Sequence, residues 1–569
     1  MYTPDLAPVA HSLLWSSLIA FLPLLTVFVT LGVLKWKAHW AGLTGLAVAL
    51  IVAVVGYGMP VNLAALSATE GFVFGLFPIM WIVLNAIWLY ELTVASGRFE
   101  DLRLVIDRIS DDPRVQAVII AFCFGGLLEA LAGFGAPVAI TGVMLMSIGF
   151  TPMRAAVVVL VSNTAPVAFG AIATPIITAG TLTGIPYTEI GAVVGRQTPL
   201  LALFVPLILI FLADGRRGLR DVWPIALVVG VVFAVMQFIS ANFLSVELTD
   251  VIASLAGLAA AVLMLRVWHP SDTAGARERM LAERESERRE GPVGEVPVAA
   301  SGGVALKSET DSRAVTELTP GRVTLALFPY LLVIVVFALA KLWTPVKNWL
   351  AGTDTKFGWP GLDGNILTSA GKPSSSTVYT FGWLSTPGSL LLLSGIVVAV
   401  VYRMSLMEAA RVYGRTFMKM KYSILTVAAV LALAYVMNQS GQTITIGTWI
   451  AGTGALFAFL SPILGWLGTA VTGSDTSANA LFATLQQAAA QKAGIDPTLL
   501  VAANTSGGVV GKMISPQNLT IAATAVGLLG RESDILRKVI WWSIGMLVIL
   551  CLLIGLQSTP VLSWMLPKF

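Results

Sequence analysis

Four of the ionisable residues inside hydrophobic stretches of this 569-residue sequence stand out: Glu129, Arg196, Asp475 and Lys512. A charged side chain at the centre of a membrane helix costs at least ~2.5–3.5 kcal/mol, so such residues usually face one another or a watery cavity. Two acids and two bases suit the binding of a small anion together with a proton, because cationic side chains and helix N-termini attract a carboxylate. A structural ion pair or an anchor at the membrane interface is the plainer interpretation for each of them.

One short motif occurs twice at the same spacing. Its two copies are Asn163-Thr164, Gly170 and Thr174-Pro175, and Asn504-Thr505, Gly511 and Ser515-Pro516. Gly, Pro and Asn at membrane depth indicate helices that break beside a cavity, and matching breaks in two halves of a chain point to a substrate site between repeats. A chance match between two small-residue packing surfaces is the alternative.

The two breaks are predicted to face each other, with Asn163 opposite Asn504. Neutral side chains there would hydrogen-bond a hydroxyl group of the substrate, and a cation would pair with its carboxylate. The predicted substrate-binding residues are Asn163, Thr164, Asn504, Thr505, Lys512, Ser474, Gly135 and Arg196.

Glu129 and Asp475 are the two candidates for carrying a proton. Glu129 is flanked by leucines, and burial among apolar groups favours the neutral form of an acid. Asp475 has hydroxyl-bearing neighbours on both sides, which favour its ionised form. We therefore predict that Glu129 binds the proton, and that Asp475 stays ionised and able to hold Lys512 in the empty carrier.

The composition indicates the elements that must position these residues. Hydrophobic residues make up 56% of the chain, charged residues 12%, and the mean hydropathy is +0.84, far from the balance of a soluble domain. The predicted fold is an all-α polytopic membrane protein with about 12–14 transmembrane helices, long enough for a ~30 Å hydrocarbon core. It contains two inverted repeats, and the shorter apolar pieces near 134–148 and 476–490 are sized for re-entrant helical hairpins.

Basic residues alternate between loops and predict an orientation with the amino terminus outside. The loop at 344–387 would cap the outer face, and the net charge of +4 follows from loop bias, so no nucleic acid partner is predicted. Residues 270–321 would form a cytoplasmic charged linker, with a short charged helix in its first part and a disordered remainder, most simply a solvated tether. The predicted units are scaffold helices 1–114, the first repeat core 115–213, scaffold helices 214–269, the linker 270–321, scaffold helices 322–438, the second repeat core 439–530 and a last helix in 531–569.

Long ordered motifs in this sequence resemble the bacterial L-lactate permease family. They are Phe124-Gly125, Leu128-Glu129, the runs 132–141 and 163–170, Gly195-Arg196-Gln197, the runs 472–477 and 479–483, and the run 501–517. The resemblance covers nearly the whole chain and implies a multi-pass protein of the bacterial plasma membrane that imports L-lactate, often with D-lactate and glycolate, together with a proton. The family is similar to the ion-transporter superfamily, in which Ser-Asn-Thr tips surround the substrate.

The sequence departs from the family pattern at two places. Leu128-Glu129 is followed by Ala130 where glycine is usual, and the charged segment 277–290 has no familiar counterpart. The first concerns how closely the backbone packs beside Glu129, and the second reads as a lineage-specific linker.

Other function classes fit the sequence less well. A carrier of another small carboxylate, or one coupled to sodium, is the nearest alternative. A membrane-embedded enzyme would need a nucleophile with a base, or a metal cluster. The two cysteines, Cys123 and Cys551, lie in apolar runs and the histidines lie at span edges, so no enzyme activity, metal site or cofactor is predicted. A channel suits the fixed charges less well. The predicted partners are small 2-hydroxy monocarboxylates, protons and the lipid bilayer, with a homodimer left open.

Overall fold

The computed structural model describes residues 1–133, 135–290, 319–368 and 373–567. Phe134 of the run 132–141 and residues 291–318 of the predicted linker lie outside the described residues. The α-helices before the linker are α1 (Leu13–Ala20), α2 (Leu22–Phe28), α3 (Ala38–Ile51), α4 (Val61–Phe74), α5 (Trp81–Ala95), α6 (Arg98–Asp107), α7 (Pro113–Ala117), α8 (Gly125–Ala132), α9 (Ala136–Ser147), α10 (Pro152–Ser162), α11 (Gly170–Thr183), α12 (Tyr187–Val194), α13 (Thr198–Ile239), α14 (Thr249–Val267) and α15 (Thr273–Glu290).

The described residues of the second half are also mainly helical, with one small antiparallel pair of strands among them, β1 (Thr355–Gly358) and β2 (Val378–Phe381). Its α-helices are α16 (Pro320–Leu342), α17 (Thr344–Ala351), α18 (Pro387–Val401), α19 (Leu406–Gln439), α20 (Gln442–Ile450), α21 (Phe457–Thr472), α22 (Asp475–Ala493), α23 (Pro497–Gly511), α24 (Pro516–Ala525) and α25 (Glu532–Gln557). π-Helical turns extend several helices, at Val29–Val33, Val52–Gly56, Gly75–Met80, Val118–Phe124 and Ser240–Leu244. Short 3₁₀ segments occupy Val167–Phe169, Ser375–Thr377, Ala451–Leu456, Lys512–Ile514 and Ser563–Met565.

The all-α polytopic class predicted from the sequence is confirmed. By length and apolar composition, the described residues contain ten helices able to cross a membrane, or up to eleven if one bent pair counts as a single span. The predicted count of about 12–14 was higher for two reasons. α18 has only 15 residues, and the helix Thr198–Leu244 counts once although its 47 residues would reach ~70 Å.

That long helix is interrupted where the sequence predicted a basic loop. Asp214 and Gly215 leave the helical region, and Gly215 has φ 63°, a backbone conformation that favours glycine. The break divides the helix into two arms and lies beside α7 and α15, where Asp214 accepts hydrogen bonds from Arg114 and Arg279.

The stretch from α7 to α9 is a helical hairpin that enters and leaves at one face. Pro113 follows Asp112, whose carboxylate caps α7 by accepting from the backbone N–H of Arg114, a typical helix start. The chain runs inward to Ala132 and returns through α9, which has 12 residues and spans only ~18 Å. The short arm α9 matches the short apolar piece predicted near 134–148, whereas the first arm, Pro113–Leu131, is by itself long and apolar enough to cross a membrane.

The charged helix α15 holds the base of this hairpin. The guanidinium of Arg114 donates to the Ser271 carbonyl (2.6 Å), Arg284 donates to the Met146 carbonyl (2.9 Å), and Arg154 pairs with Glu283 (2.6 Å). Ala276 and Met280 of α15 are buried. The short charged helix predicted for this part of the linker is therefore present, but it packs against the neighbouring helices and is not the solvated tether that the sequence also predicted.

The two segments that carry the duplicated motif meet through reciprocal contacts. Helix α9 packs on α24, and α22 packs on α11, so the return arm of each hairpin lies against the helix that follows the break of the other repeat. Helices α3, α4 and α5 pack instead on the long helix α19, and α16 and α18 join them through α5 and α6.

Candidate functional site at the broken helices

The first copy of the motif unwinds a bent helix pair. Helix α10 ends at Ser162, and it makes an angle of 63° with the segment Val167–Thr183. Pro166 explains the break, because proline has no N–H to donate and clashes with the carbonyl four residues earlier. Ala171, Ile172 and Ala173 then adopt left-handed dihedrals with φ of 44–57°, and the right-handed helix resumes at Thr174-Pro175.

The second copy breaks later in the motif. Helix α23 continues through Asn504 and Thr505 to Gly511, and the break covers Lys512–Ile514 before α24 starts at Pro516. Gly507 stands where the first copy has Pro166, so no proline ends the helix early. Ser515 caps α24 by accepting from the backbone N–H of Asn518, and the Ser/Thr-Pro pair thus restarts a helix in both copies.

Lys512 and Glu129 form a buried ion pair between the two repeats. The distance from Lys512 Nζ to Glu129 Oε1 is 2.5 Å, and the exposed fractions of the two side chains are 8% and 3%. Glu129 lies against the first motif, since a Cβ on Gly170 would come within 3.0 Å of Glu129 Oε1. The partner of Lys512 is therefore Glu129, not Asp475 as the sequence analysis expected, because the first hairpin tip reaches the second break.

A narrow crevice adjoins this ion pair and has no room for a water molecule. Its lining residues are Val138, Leu160, Asn163, Thr164, Lys512, Met513 and Asn518. Within the described part of the chain, Asn163 Oδ1 and Glu129 Oε2 are buried without a hydrogen-bond partner. Buried polar atoms rarely lack a partner, so the crevice offers unused acceptors beside a cation and two apolar side chains.

Asn504 and Thr505 lie elsewhere, and Asn479 accounts for their hydrogen bonds. Asn479 Oδ1 accepts from Asn504 Nδ2 and from Thr505 Oγ1, both at 3.0 Å. Asn479 Nδ2 donates to the carbonyl of Pro175 at 3.3 Å, so this one amide links the second motif to the first. In this conformation Asn163 lines the crevice while Asn504 is bonded inside the second hairpin, and the two do not face each other.

Asp475 occupies a separate pocket on the second hairpin. Its carboxylate packs on the backbone of Gly508, where a Cβ would collide with it, and its Oδ1 accepts from Thr469 Oγ1 at 3.4 Å. Its Oδ2 has no partner among the described residues. Ser474 is the N-cap of α22 and accepts from the backbone N–H of Ser477, which makes it a helix-starting residue here.

Gly135 and Arg196 complete the sequence-predicted set. Gly135 has φ 88° and starts α9, and a Cβ there would collide with Ile521 of α24, so a glycine is required for the hairpin tip to approach the second repeat. Arg196 lies in the break between α12 and α13, with its guanidinium carbon 5.9 Å from the centre of the Phe238 ring. It is away from the crevice, and its neighbour Gln197 accepts from Ser506 Oγ at 2.6 Å.

A wide vestibule of about 1200 Å³ with a mixed polar and apolar lining opens on the face that carries α17 and the strand pair. Ile177 and Thr181 of α11, and Thr484 and Gln487 of α22, line its inner part. Just below, the Asn479–Pro175 hydrogen bond closes the seam between α11 and α22, and beside it Gln487 Nε2 donates to the Thr183 carbonyl at 2.8 Å. The vestibule is thus separated from the ion pair by the contact between two helices.

Sequence reasoning missed Asn479 as a site residue. It appeared only within a run that carried the family resemblance, although it stands one helical turn after Asp475 on the same face of α22. Taken together, the geometry provides a buried cation held by one acid, a closed crevice with free acceptors, and a wide entrance from one face. Such a site can exchange the acid for a small carboxylate.

Comparisons with known proteins are consistent along the whole chain. A family model described as L-lactate permease matches residues 16–561. An L-lactate permease of Bacillus subtilis (strain 168) is 41% identical, with 100% of both chains covered. The glycolate permease GlcA of Escherichia coli (strain K12) is 41% identical over 92% of each chain, and an L-lactate permease of the same strain is 40% identical over 97% of each.

Proposed function

Because this chain belongs to the L-lactate permease family, we propose that it is a secondary transporter that imports L-lactate together with a proton. D-lactate and glycolate are further proposed substrates, and glycolate is the substrate named for a relative of similar identity. The single observation that carries the proposal is the buried Lys512–Glu129 ion pair beside the crevice.

Lactate and Glu129 would compete for the same cation. A carboxylate substrate needs a positive partner, and Lys512 is occupied by Glu129 in the empty site. Protonation removes the charge of Glu129 and releases Lys512, so that the substrate carboxylate takes its place. Binding of the proton and binding of lactate are therefore linked through one lysine.

The net charge of the site gives the reason why lactate and a proton would be transported only together. Without substrate, Lys512 and Glu129 sum to zero, and with a proton and lactate both bound the site is again neutral. Lactate alone would leave one negative charge in a buried site, which costs several kcal/mol without a partner. Only the empty carrier and the carrier that holds both a proton and lactate can then change the side of the membrane to which the site opens. Each cycle therefore moves one proton with one lactate and transfers no net charge.

The crevice is closed in this conformation, and we propose that it opens to admit substrate; its lining suits a 2-hydroxy acid. Asn163 Oδ1 is free to accept a hydrogen bond from the substrate hydroxyl, and Thr164 stands beside it. Val138 and Leu160 provide an apolar wall for the methyl group of lactate. Glycolate lacks that methyl group, whose loss from an apolar pocket is worth only ~1–3 kcal/mol, so both acids are expected to be accepted.

The proposed setting is the bacterial inner membrane, with the amino terminus and the vestibule outside. Arginines of the described chain support this orientation, since Arg114, Arg154 and Arg279 cluster beside α15 and basic residues favour the cytoplasmic side. The vestibule is lined by Lys341 and Lys347, and the charge of Lys341 is paired with Glu247. The vestibule then provides the entrance for substrate, and the contact between α11 and α22 separates the vestibule from the crevice.

Reconstitution into liposomes tests the proposal. Purified protein should accumulate labelled L-lactate when the outside is more acidic than the inside, and a protonophore should abolish the accumulation. Lys512→Met protein serves as the matched control and should not take up lactate. Accumulation that follows a sodium gradient and ignores the pH gradient would contradict proton symport.

A further inference from the structure

A second buried acid lies behind the first motif and takes no part in the scheme above. Asp250 stands in the first turn of α14, and Gln237 faces it from α13; both side chains are 0% exposed. Neither carries an obvious sequence signal, since Asp250 begins an apolar run and a glutamine in a membrane helix is a common packing residue.

The side-chain amide of Gln237 connects Asp250 to the break. Gln237 Nε2 donates to Asp250 Oδ1 at 3.3 Å and to the backbone carbonyl of Ala165 at 3.1 Å. Both N–H groups of the amide are therefore used. Ala165 directly follows Asn163-Thr164, so the amide fixes the backbone of the segment that lines the crevice.

Two oxygens of this pair lack a hydrogen bond. Within the described residues, Asp250 Oδ2 and Gln237 Oε1 are both buried without a partner. Two acceptors cannot satisfy each other, and Asp250 has no Lys or Arg within ion-pair distance in the described part of the chain. The nearby charged group is Glu129 of α8, whose negative charge opposes a second one on Asp250.

A single proton on Asp250 Oδ2 would give both of these oxygens a hydrogen bond. A protonated Asp250 donates from Oδ2 to Gln237 Oε1, while Gln237 Nε2 continues to donate to Oδ1. The acid and the amide then form a closed pair with two hydrogen bonds, and the other amide N–H stays on Ala165. An ionised Asp250 would instead be an unpaired buried charge, which is strongly unfavourable.

We propose that Asp250 is held protonated by Gln237, and that this acid–amide pair positions Ala165 and thereby the Asn163-Thr164 segment for substrate binding. The inference rests on the proposed function for its transport readout. Asp250 and Gln237 are positioning residues, distinct from Glu129, which gains and loses its proton in each cycle.

Two substitutions test the pair in proteoliposomes. Gln237→Leu keeps the side-chain volume but cannot hold Ala165, so it should raise the KM for lactate about tenfold with little change in maximal rate, the loss expected for about one hydrogen bond. Asp250→Asn replaces the protonated acid by a neutral isostere that still offers a donor and an acceptor. It should keep the KM within about twofold and retain accumulation driven by a pH gradient.

Two outcomes would overturn the inference. If Gln237→Leu binds lactate normally, the amide does not position the site. If Asp250→Asn loses pH-driven accumulation while exchanging lactate, Asp250 is itself a proton carrier.

A spectroscopic measurement keeps the inference testable apart from the proposed function. Infrared spectra of wild-type protein at neutral pH should contain a protonated carboxyl band that Asp250→Asn removes. This readout remains valid if wild-type protein does not transport lactate, a result that would refute the proposed function alone. If the carboxyl band is unchanged in Asp250→Asn, the proposal that Asp250 is held protonated is refuted.

Discussion

Lys512 pairs with the carboxylate of Glu129 and, in the proposed cycle, also with that of the substrate, so its removal should affect binding and stability separately. Lys512→Met leaves Glu129 buried without a cation, which typically costs about 3–5 kcal/mol, and it removes the partner of lactate. We expect loss of uptake together with a lower melting temperature of the purified protein.

The double variant Lys512→Met with Glu129→Gln separates the two effects. It contains no buried charge at this position, so thermal stability should recover toward the wild-type value while lactate uptake stays absent. Normal uptake by either variant would show that lactate does not bind Lys512.

Asn163 and Asn504 should behave differently although they occupy equivalent motif positions. Asn163 Oδ1 has no partner in the described structure, so Asn163→Ala should raise the KM for lactate by about tenfold with little effect on stability. Asn504 is hydrogen-bonded to Asn479 and to Gln486, so Asn504→Ala should lower the melting temperature. Uptake kinetics and thermal unfolding of both variants check this, and equal effects on KM without loss of stability would contradict it.

For individual residues, a charged side chain in an apolar segment was enough to select Glu129, Asp475 and Lys512 as candidates from the sequence. The ion pair between Lys512 and Glu129 was not predictable from the sequence, because it depends on how far the first hairpin tip reaches toward the second break. Asp250 escaped notice since it begins an apolar run and looks like an interfacial residue, and only its lack of a partner in the fold singles it out.

The two breaks differ in length because of one proline. Pro166 ends α10 early, whereas Gly507 lets α23 continue to Gly511. Pro166→Ala restores an N–H and should let the first break partly rewind, which would turn Asn163 away from the crevice and raise the KM for lactate.

Pro152→Ala is the matched control for this variant. Pro152 occupies the first turn of α10, where the missing N–H costs little, so its replacement should leave uptake nearly unchanged. The measurement is the KM for lactate of Pro166→Ala and of Pro152→Ala. Equal values would show that the length of the first break does not determine the affinity of the site for lactate.

Glycines bring α23 unusually close to α21. A Cβ on Gly507 would collide with the Pro462 carbonyl, and one on Gly511 with the Trp466 carbonyl, which is close packing of the kind that small residues four apart allow in membranes. The duplicated motif predicted two breaks from sequence, and both exist. Their lengths, and the use of Asn504 inside a helix, followed from packing that spacing alone does not encode.

The whole molecule has a vestibule at one face and the docked helix α15 at the other, and this polarity gives a topology prediction. In protein without native cysteines, Ser376→Cys beside the vestibule should react with a membrane-impermeant maleimide added to intact cells. Ser286→Cys on α15 should react only after permeabilisation, because basic loops favour the cytoplasm. The reverse pattern would place the amino terminus inside.

The all-α membrane class and the approximate span count were readable from hydrophobic runs, because every span must exceed a minimum apolar length. The vestibule was not, since it forms between α11, α22 and the loop 344–387, which are far apart in sequence. The packed state of α15 also escaped prediction, because a mixed-charge segment reads as solvated until its ion pairs with Arg154 and Asp214 are seen.

The central claim, that one proton on Glu129 frees Lys512 for lactate, is tested most directly by Glu129→Gln in proteoliposomes. In this variant the empty site carries the uncompensated charge of Lys512, whereas the lactate-bound site is neutral. We expect exchange of labelled lactate across the membrane to continue and accumulation driven by a pH gradient to disappear. If Glu129→Gln still concentrates lactate, and Asp475→Asn loses that ability instead, the proton carrier is Asp475 and the account is contradicted.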